Sequence, residues 1–250
     1  MSQIIELADL IKSSKSAVFF GGAGVSTESD IPDFRSESGL YAAKKNYGYP
    51  PETLISHTIF SSNPELFFRY YKENLIARGA KPNQAHIALA QLEKRGLMAA
   101  IITQNIDGLH QAAGSENVLE LHGTNWKQFC IDCGAKYSLD YILEPGNCKG
   151  GVIPKCEKCG GIVRPDVVLY GEGLDGRVIG AAVEAISKAD LMIVGGTSLV
   201  VYPAAGLLRY FSGKSLVLIN KSQTSADEEA RIVIRDSIGK VFGEVMQIIA

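Results

Sequence analysis

Ser16-Ala17-Val18-Phe19-Phe20-Gly21-Gly22-Ala23-Gly24 is a short apolar run that stops at a glycine turn. A strand buried on both faces that feeds such a turn is how a nucleotide-binding α/β unit begins. The same grammar recurs three times. Residues 99–102 run into Thr103-Gln104-Asn105-Ile106-Asp107, residues 191–194 into Gly195-Gly196-Thr197-Ser198, and residues 216–219 into Asn220-Lys221. Helical patterns cover residues 4–12, 84–95, 177–188, 204–211 and 239–249. Apolar strands separated by helices predict an α/β fold, a doubly wound, Rossmann-like parallel sheet with helices on both faces. Ligands of such sheets bind outside the carboxyl ends of the strands, so the four polar or glycine-rich exits mark one edge as the site.

Two segments interrupt this rhythm. Residues 31–79 are rich in Ser, Pro, Tyr and Phe, with a helix expected over 64–76. Residues 126–163 hold two C-x-x-C pairs, Cys130-Ile131-Asp132-Cys133 and Cys156-Glu157-Lys158-Cys159. Each pair puts two thiolates on one side of a tight turn, and two such turns supply the four sulfurs of a tetrahedral zinc site. Cys148, in the loop between the pairs, is read as a bystander thiol. The expected division is a large domain of residues 1–30, 80–125 and 164–250. A helical insertion (31–79) and a zinc ribbon (126–163) together form a smaller one.

The bulk numbers narrow the function classes. The 250 residues are 46% hydrophobic and 21% charged, an ordinary globular mix, and the net charge of −2 favours neither nucleic acid nor an acidic membrane surface. No stretch approaches the roughly 20 apolar residues of a membrane span. Residues 1–10 read as the start of an amphipathic helix, not as a signal peptide. Cysteines in zinc spacing fit a reducing compartment, so a cytoplasmic protein is expected.

The strand exits carry groups suited to a nucleotide. Gly22-Ala23-Gly24-Val25-Ser26-Thr27 lacks the third glycine of G-x-G-x-x-G and is a weak signal alone. Ile31-Pro32-Asp33-Phe34-Arg35 strengthens it, with a cation for phosphate at Arg35 and an aromatic to cover a flat ring at Phe34. Backbone N–H groups and a following helix start would hold a pyrophosphate. Gln104, Asn105 and Asp107 offer amides and a carboxylate to ribose hydroxyls and a carboxamide, although Asp107 also suits the N-cap of the next helix. His122, in Glu120-Leu121-His122-Gly123-Thr124, is either a base for a sugar hydroxyl or a packed histidine at the domain seam. Arg164-Pro165-Asp166-Val167-Val168-Leu169-Tyr170-Gly171-Glu172 contains a strand that is either an edge for an extended peptide or internal. Gly196, Thr197 and Ser198 offer hydroxyls and amides to phosphate, and Asn220 stands where a ribose hydroxyl would be read.

Taken in order across about residues 20–220, these motifs resemble the sirtuins, the NAD-dependent protein-lysine deacylases, and most closely the bacterial branch with short termini. The matching pieces are Gly22 to Ser26 with Ile31 to Arg35, Thr103 to Asp107, Leu121 to Gly123, the two cysteine pairs, Arg164 to Val168 with Gly171-Glu172, and Gly196 to Pro203. The resemblance implies NAD bound between a Rossmann-type domain and a small zinc-plus-helix domain, with structural zinc on Cys130, Cys133, Cys156 and Cys159. It implies that Ala23, Gly24, Thr27, Phe34 and Arg35 line the cofactor loop. Gln104, Asn105, Ile106 and Asp107 would hold nicotinamide and its ribose. Gly196, Thr197 and Ser198 would meet phosphate or ribose, and Asn220, Lys221 and Ile238 the adenosine end. His122, which also contacts NAD, is implied as the general base, with Asn105 beside it as a catalytic residue. Val168, Tyr170 and Gly171, with Val200 and Val201 opposite, would clamp an acetyl-lysine peptide as an extended strand. The implied reaction releases nicotinamide, free lysine and O-acetyl-ADP-ribose. A monomer is expected.

Two departures matter. Asp30 stands where the family usually has glycine, which is expected to require a negative φ. Tyr41-Ala42-Ala43-Lys44 has lysine where deacylases of acidic acyl groups carry arginine, so neutral acyl groups such as acetyl are expected. Rival readings are an NAD-dependent ADP-ribosyltransferase, a deacylase of other acyl groups, an NAD-sensing binding module and a dehydrogenase. The last lacks its glycine pattern.

Overall fold

A computed structural model describes residues 2–33 and 44–249. Phe34, Arg35 and Tyr41 therefore lie outside the described residues, and with them the expectations for the cofactor loop's cation and for acyl-chain choice.

The apolar runs form one six-stranded sheet: β1 (Ala17–Gly21), β2 (Ala100–Thr103), β3 (Val118–Glu120), β9 (Leu191–Gly195), β10 (Ser215–Ile219) and β11 (Ile232–Ile234). Their order is β11-β10-β9-β1-β2-β3, and all neighbours are parallel. This is the doubly wound arrangement, whose switch point lies between β1 and β9. Register sets the site: Gly21 pairs with Thr103 on one side and Gly195 on the other, and Ile219 pairs with Gly195. All four exits thus leave at one level.

Strand residues alternate between two cores, because successive side chains point to opposite faces. Ala17, Phe19, Ile101 and Ile193 pack with α1 (Ser2–Ser13), α5 (Gln84–Lys94) and α9 (Ile238–Ile249). Val18, Phe20, Ile102 and Val194 pack with α8 (Gly176–Lys188) and a 3-10 helix, Ala204–Tyr210. That last element was expected as an ordinary helix; the tighter winding suits a short connector. β11 was not expected, since three apolar residues between Arg231 and Arg235 are too short a run to read.

A third core joins the two interrupting segments. Helices α2 (Pro51–Leu54), α3 (His57–Ser62) and α4 (Pro64–Asn74) bring Leu54, Phe60, Phe67, Phe68 and Tyr71 against Cys130, Leu139, Ile142, Cys156 and Val163. Cys130 ends β4 (Gly123–Cys130), Leu139 and Ile142 lie on α7 (Leu139–Leu143), Val163 opens β8 (Val163–Val167), and Cys156 follows β7 (Ile153–Pro154). The ribbon also holds β5 (Lys136–Ser138) and β6 (Cys148–Lys149), which forms a small pair with β7. β4 pairs antiparallel with β5 and β8. Among the described residues, no helix is long and apolar enough to cross a membrane.

Candidate active site

The loops after β1 and β9 interlock. Gly22 N donates to Gly195 O at 3.2 Å and Gly24 N to Gly196 O at 2.8 Å. Gly196 has φ +60°, and a Cβ on it would lie 2.4 Å from Val25 N, so neither the conformation nor the space admits a side chain. The expected helix start after the glycine turn is absent. Two 3-10 turns, Ala23–Val25 and Thr27–Ser29, stand there, and the amides of Gly22, Gly24, Val25 and Ser26 are already bonded within the fold. A pyrophosphate cradle cannot be a plain helix N-terminus here. Asp30 also departs from expectation, with φ +61° instead of a negative value. Aspartate is among the few residues whose short polar side chain tolerates this region.

Side chains from different strand exits meet around Ser26, a buried residue whose role was missed in the sequence. Its hydroxyl donates to Asp107 Oδ2 at 2.7 Å and accepts from Asn105 Nδ2 at 3.1 Å. Asp107 Oδ1 accepts the amide of Leu109 at 2.9 Å, but the N-cap of the short helix α6 (Leu109–Ala112) is Gly108, at φ +73°, so Asp107 stands one residue before the N-cap position expected for it. Gln104 Nε2 reaches Thr197 Oγ1 at 3.1 Å, linking the exits of β2 and β9. Thr27 Oγ1 donates to Gly24 O at 3.0 Å, and Asn83, the N-cap of α5, donates from Nδ2 to Val25 O at 2.8 Å.

His122 sits just before β4, half-buried. Its Nδ1 is 2.8 Å from the carbonyl oxygen of Gln104. A carbonyl only accepts, so Nδ1 carries the proton and the neutral ring keeps Nε2 free for another. Burial pushes the imidazole below its ordinary value, and the bond to Gln104 opposes this in part. A neutral base at the strand-exit edge results.

The stretch after β8 is largely internal. Val168 N donates to His122 O, Tyr170 N to Ile55 O, and Leu169 N to Glu172 Oε2. Buried Arg164 forks onto both oxygens of Glu172 at 2.6 and 3.0 Å. Burial alone would raise the Glu172 carboxyl, but Arg164, the Leu169 amide and His57 hold it down to about 2. Gly171 is exposed beyond this anchored run, as are Ser198 and Val200, while Val201 is half-buried. At the far exit, Asn220 Nδ2 donates to Ser222 O at 2.8 Å and Lys221 is exposed. Ile238, at the start of α9, has its side chain buried in the core.

The four cysteines of the ribbon face one another. Cys130 and Cys159 Sγ are 3.5 Å apart, Cys133 and Cys156 3.6 Å, and all four lie within 4.8 Å of one another. A tetrahedron with metal–sulfur bonds of about 2.3 Å has edges of about 3.8 Å, whereas a disulfide needs about 2 Å. The set is placed to bind one structural zinc ion and leaves no open position for water. Tyr137 OH lies 3.0 Å from Cys156 Sγ. Cys148 stays outside the cluster, 3.3 Å from Lys72 Nζ.

A family model described as the Sir2 family matches residues 22–203. This chain belongs to the Sir2 family. A relative from Clostridium acetobutylicum named NAD-dependent protein deacetylase is 58% identical over 246 residues, covering 98% of this chain and 99% of its own. One of the same name from Clostridium perfringens is 60% identical over 245 residues, covering 98% of each. Among solved structures, Sir2 bound to acetylated peptide superposes with TM-score 0.87 at 37% identity over 98% of each chain. A Sir2 complex with a peptide and NAD+ superposes with TM-score 0.85 at 38% identity over 97% of each. Sir2 membership accounts for the parallel sheet, the interlocked glycine loops and the four-cysteine ribbon in one chain.

Proposed function

We propose that the chain is an NAD-dependent protein-lysine deacetylase. The observation that carries this is His122, held as a neutral base by Gln104 O at the edge where the loops after β1, β2 and β9 meet. The name shared by relatives along the whole chain supports it. Bound NAD supplies the ribose that takes up the acetyl group as nicotinamide departs. Ala23, Gly24 and Thr27 line it from the first loop. Gln104, Asn105, Ile106 and Asp107 hold nicotinamide and its ribose, with Asn105 and Asp107 oriented through Ser26. Gly196, Thr197 and Ser198 meet phosphate or ribose, and Asn220, Lys221 and the start of α9 at Ile238 meet adenosine. His122 Nε2 takes the proton of a ribose hydroxyl while Nδ1 stays bonded to Gln104 O. The acetyl carbon would bond to that ribose oxygen as its C–N bond to lysine breaks, and the lysine nitrogen would take up a proton and leave as the free amine.

The acetylated peptide lies as a strand between residues 168–171 and 200–201. Because the amides of Val168, Leu169 and Tyr170 are bonded within the chain, an incoming strand pairs at Gly171. Residues 1–30, 80–125 and 164–250 form the NAD-binding domain, and 31–79 with 126–163 the small zinc domain. A four-thiol zinc site fits a reducing cytoplasm.

The test incubates the protein with NAD and an acetyl-lysine peptide, following nicotinamide and peptide mass together. Nicotinamide release with loss of the acetyl group is expected. Release with the acetyl group retained would overturn the reading in favour of ADP-ribosyl transfer or NAD hydrolysis.

A further inference from the structure

Trp126 is the chain's single tryptophan, and it is 51% exposed. Its polar edge is nonetheless engaged: indole Nε1 donates to the carbonyl of Asp107 at 2.8 Å. The residue before it, Asn125, donates its backbone N–H to Ile106 O at 2.9 Å. Consecutive residues of β4 therefore grip consecutive carbonyls of the loop after β2. The ring also lies against Gly108. That residue has φ +73°, and a Cβ on it would be 2.3 Å from Nε1 and 2.5 Å from Cδ1 of the indole.

The grip is rigid on the β4 side. Buried Tyr71 donates its hydroxyl to Asn125 Oδ1 at 2.8 Å, and Asn125 Nδ2 donates to Leu75 O at 2.7 Å. Gln128 Nε2 donates to Asn125 O at 2.7 Å. On the loop side, the Asp107 carboxylate and Asn105 amide share one hydroxyl, that of Ser26. A shift of the backbone at Asp107 would pull the carboxylate off Ser26 and release the Asn105 amide with it. Trp126 bonds the main chain of Asp107 and leaves its carboxylate to Ser26 and the Leu109 amide.

We propose that Trp126 is a positioning residue for nicotinamide recognition, clamping the Ile106–Asp107–Gly108 backbone so that Asn105 and Asp107 present one fixed set of polar groups. This rests on the reading that residues 104–107 hold nicotinamide. Losing one such bond to a polar main-chain group is expected to weaken the loop's preferred geometry by a factor of about five.

The experiment compares Trp126→Phe, Trp126→Ala and Asp107→Asn with the unaltered, zinc-loaded full chain. It measures KM for NAD, KM for an acetyl-lysine peptide, inhibition by nicotinamide, zinc content and melting temperature. Trp126→Phe keeps a ring over Gly108 but has no N–H to donate. It is expected to raise KM for NAD and the nicotinamide inhibition constant about five-fold, with peptide KM, zinc and melting temperature unchanged. Trp126→Ala, which also uncovers Gly108, is expected to do more in the same two quantities. If Asp107→Asn raises both constants and Trp126→Phe neither, the nicotinamide reading stands and the clamp is overturned. If Asp107→Asn leaves both constants unchanged, residues 104–107 do not hold nicotinamide, and both fall. Equal losses for NAD and peptide in Trp126→Phe, or loss of zinc, would show a merely structural tryptophan and overturn the clamp.

Discussion

His122 is fixed in one tautomer by a single backbone oxygen, that of Gln104. Its folded pKa lies below the ordinary 6.5 because burial disfavours the imidazolium. A base must be unprotonated to act, so the acid limb of kcat/KM is expected to fall with a midpoint below about 6.5. An acid limb centred above about 7 in a pH–rate profile would remove His122 from that role. His122→Asn is expected to lower kcat by roughly two to four orders of magnitude with the melting temperature preserved. The histidine itself was legible from Leu121-His122-Gly123 and the motifs around it. Its tautomer was not, because the oxygen that sets it comes from a residue 18 positions earlier. Ser26 was legible as part of the motif over residues 22–26, but its role was not. One serine among several in a loop carries no mark of joining Asn105 and Asp107 until the exits of β1 and β2 are side by side.

β4 is the element through which the zinc ribbon reaches the cofactor edge. His122 precedes it, Asn125 and Trp126 hold the loop after β2, and Cys130 at its far end faces the metal cluster. Cys130→Ser is expected to lose stoichiometric zinc and to weaken NAD binding as well, because the strand that carries the clamp loses its anchor. Cys148→Ser is expected to keep one zinc per chain. Metal analysis together with an NAD titration checks both, and retained zinc in Cys130→Ser would move the ligand set. The two C-x-x-C pairs were plain in the sequence. The connection of the ribbon to the site was not, since it runs through main-chain amides that any residue possesses. The missing helix start after Gly24 has a similar cause: the amides it would have offered are bonded to Gly195, Gly196 and their own loop.

At the scale of the whole molecule, two histidines are stored uncharged inside the fold. His86 and His110 are fully buried with ring centroids 4.7 Å apart, and burial pushes both well below the usual imidazole range. The unfolded chain then binds more protons than the folded one below about pH 6.5, so stability falls as pH drops through that point. Thermal melts between about pH 7 and pH 5 should show a loss on the order of 2 kcal/mol per histidine at the lower end. His110→Gln is expected to flatten that dependence, and an unchanged slope would show that other groups carry it. What the sequence by itself determined was the four long buried strands and the chemistry at their ends: runs of four or five apolar residues, glycine and amide exits, four thiols in metal spacing. Those follow from local pattern, because burial on two faces and tight turns each demand particular residue types within a few positions. The tertiary structure alone decided which exits touch and which amides remain free. It also decided that Asp30 sits at positive φ and that Trp126 lies over Gly108. These depend on parallel register and on loops 81 to 173 residues apart in the chain meeting at one edge, and no local pattern encodes a distance of that kind.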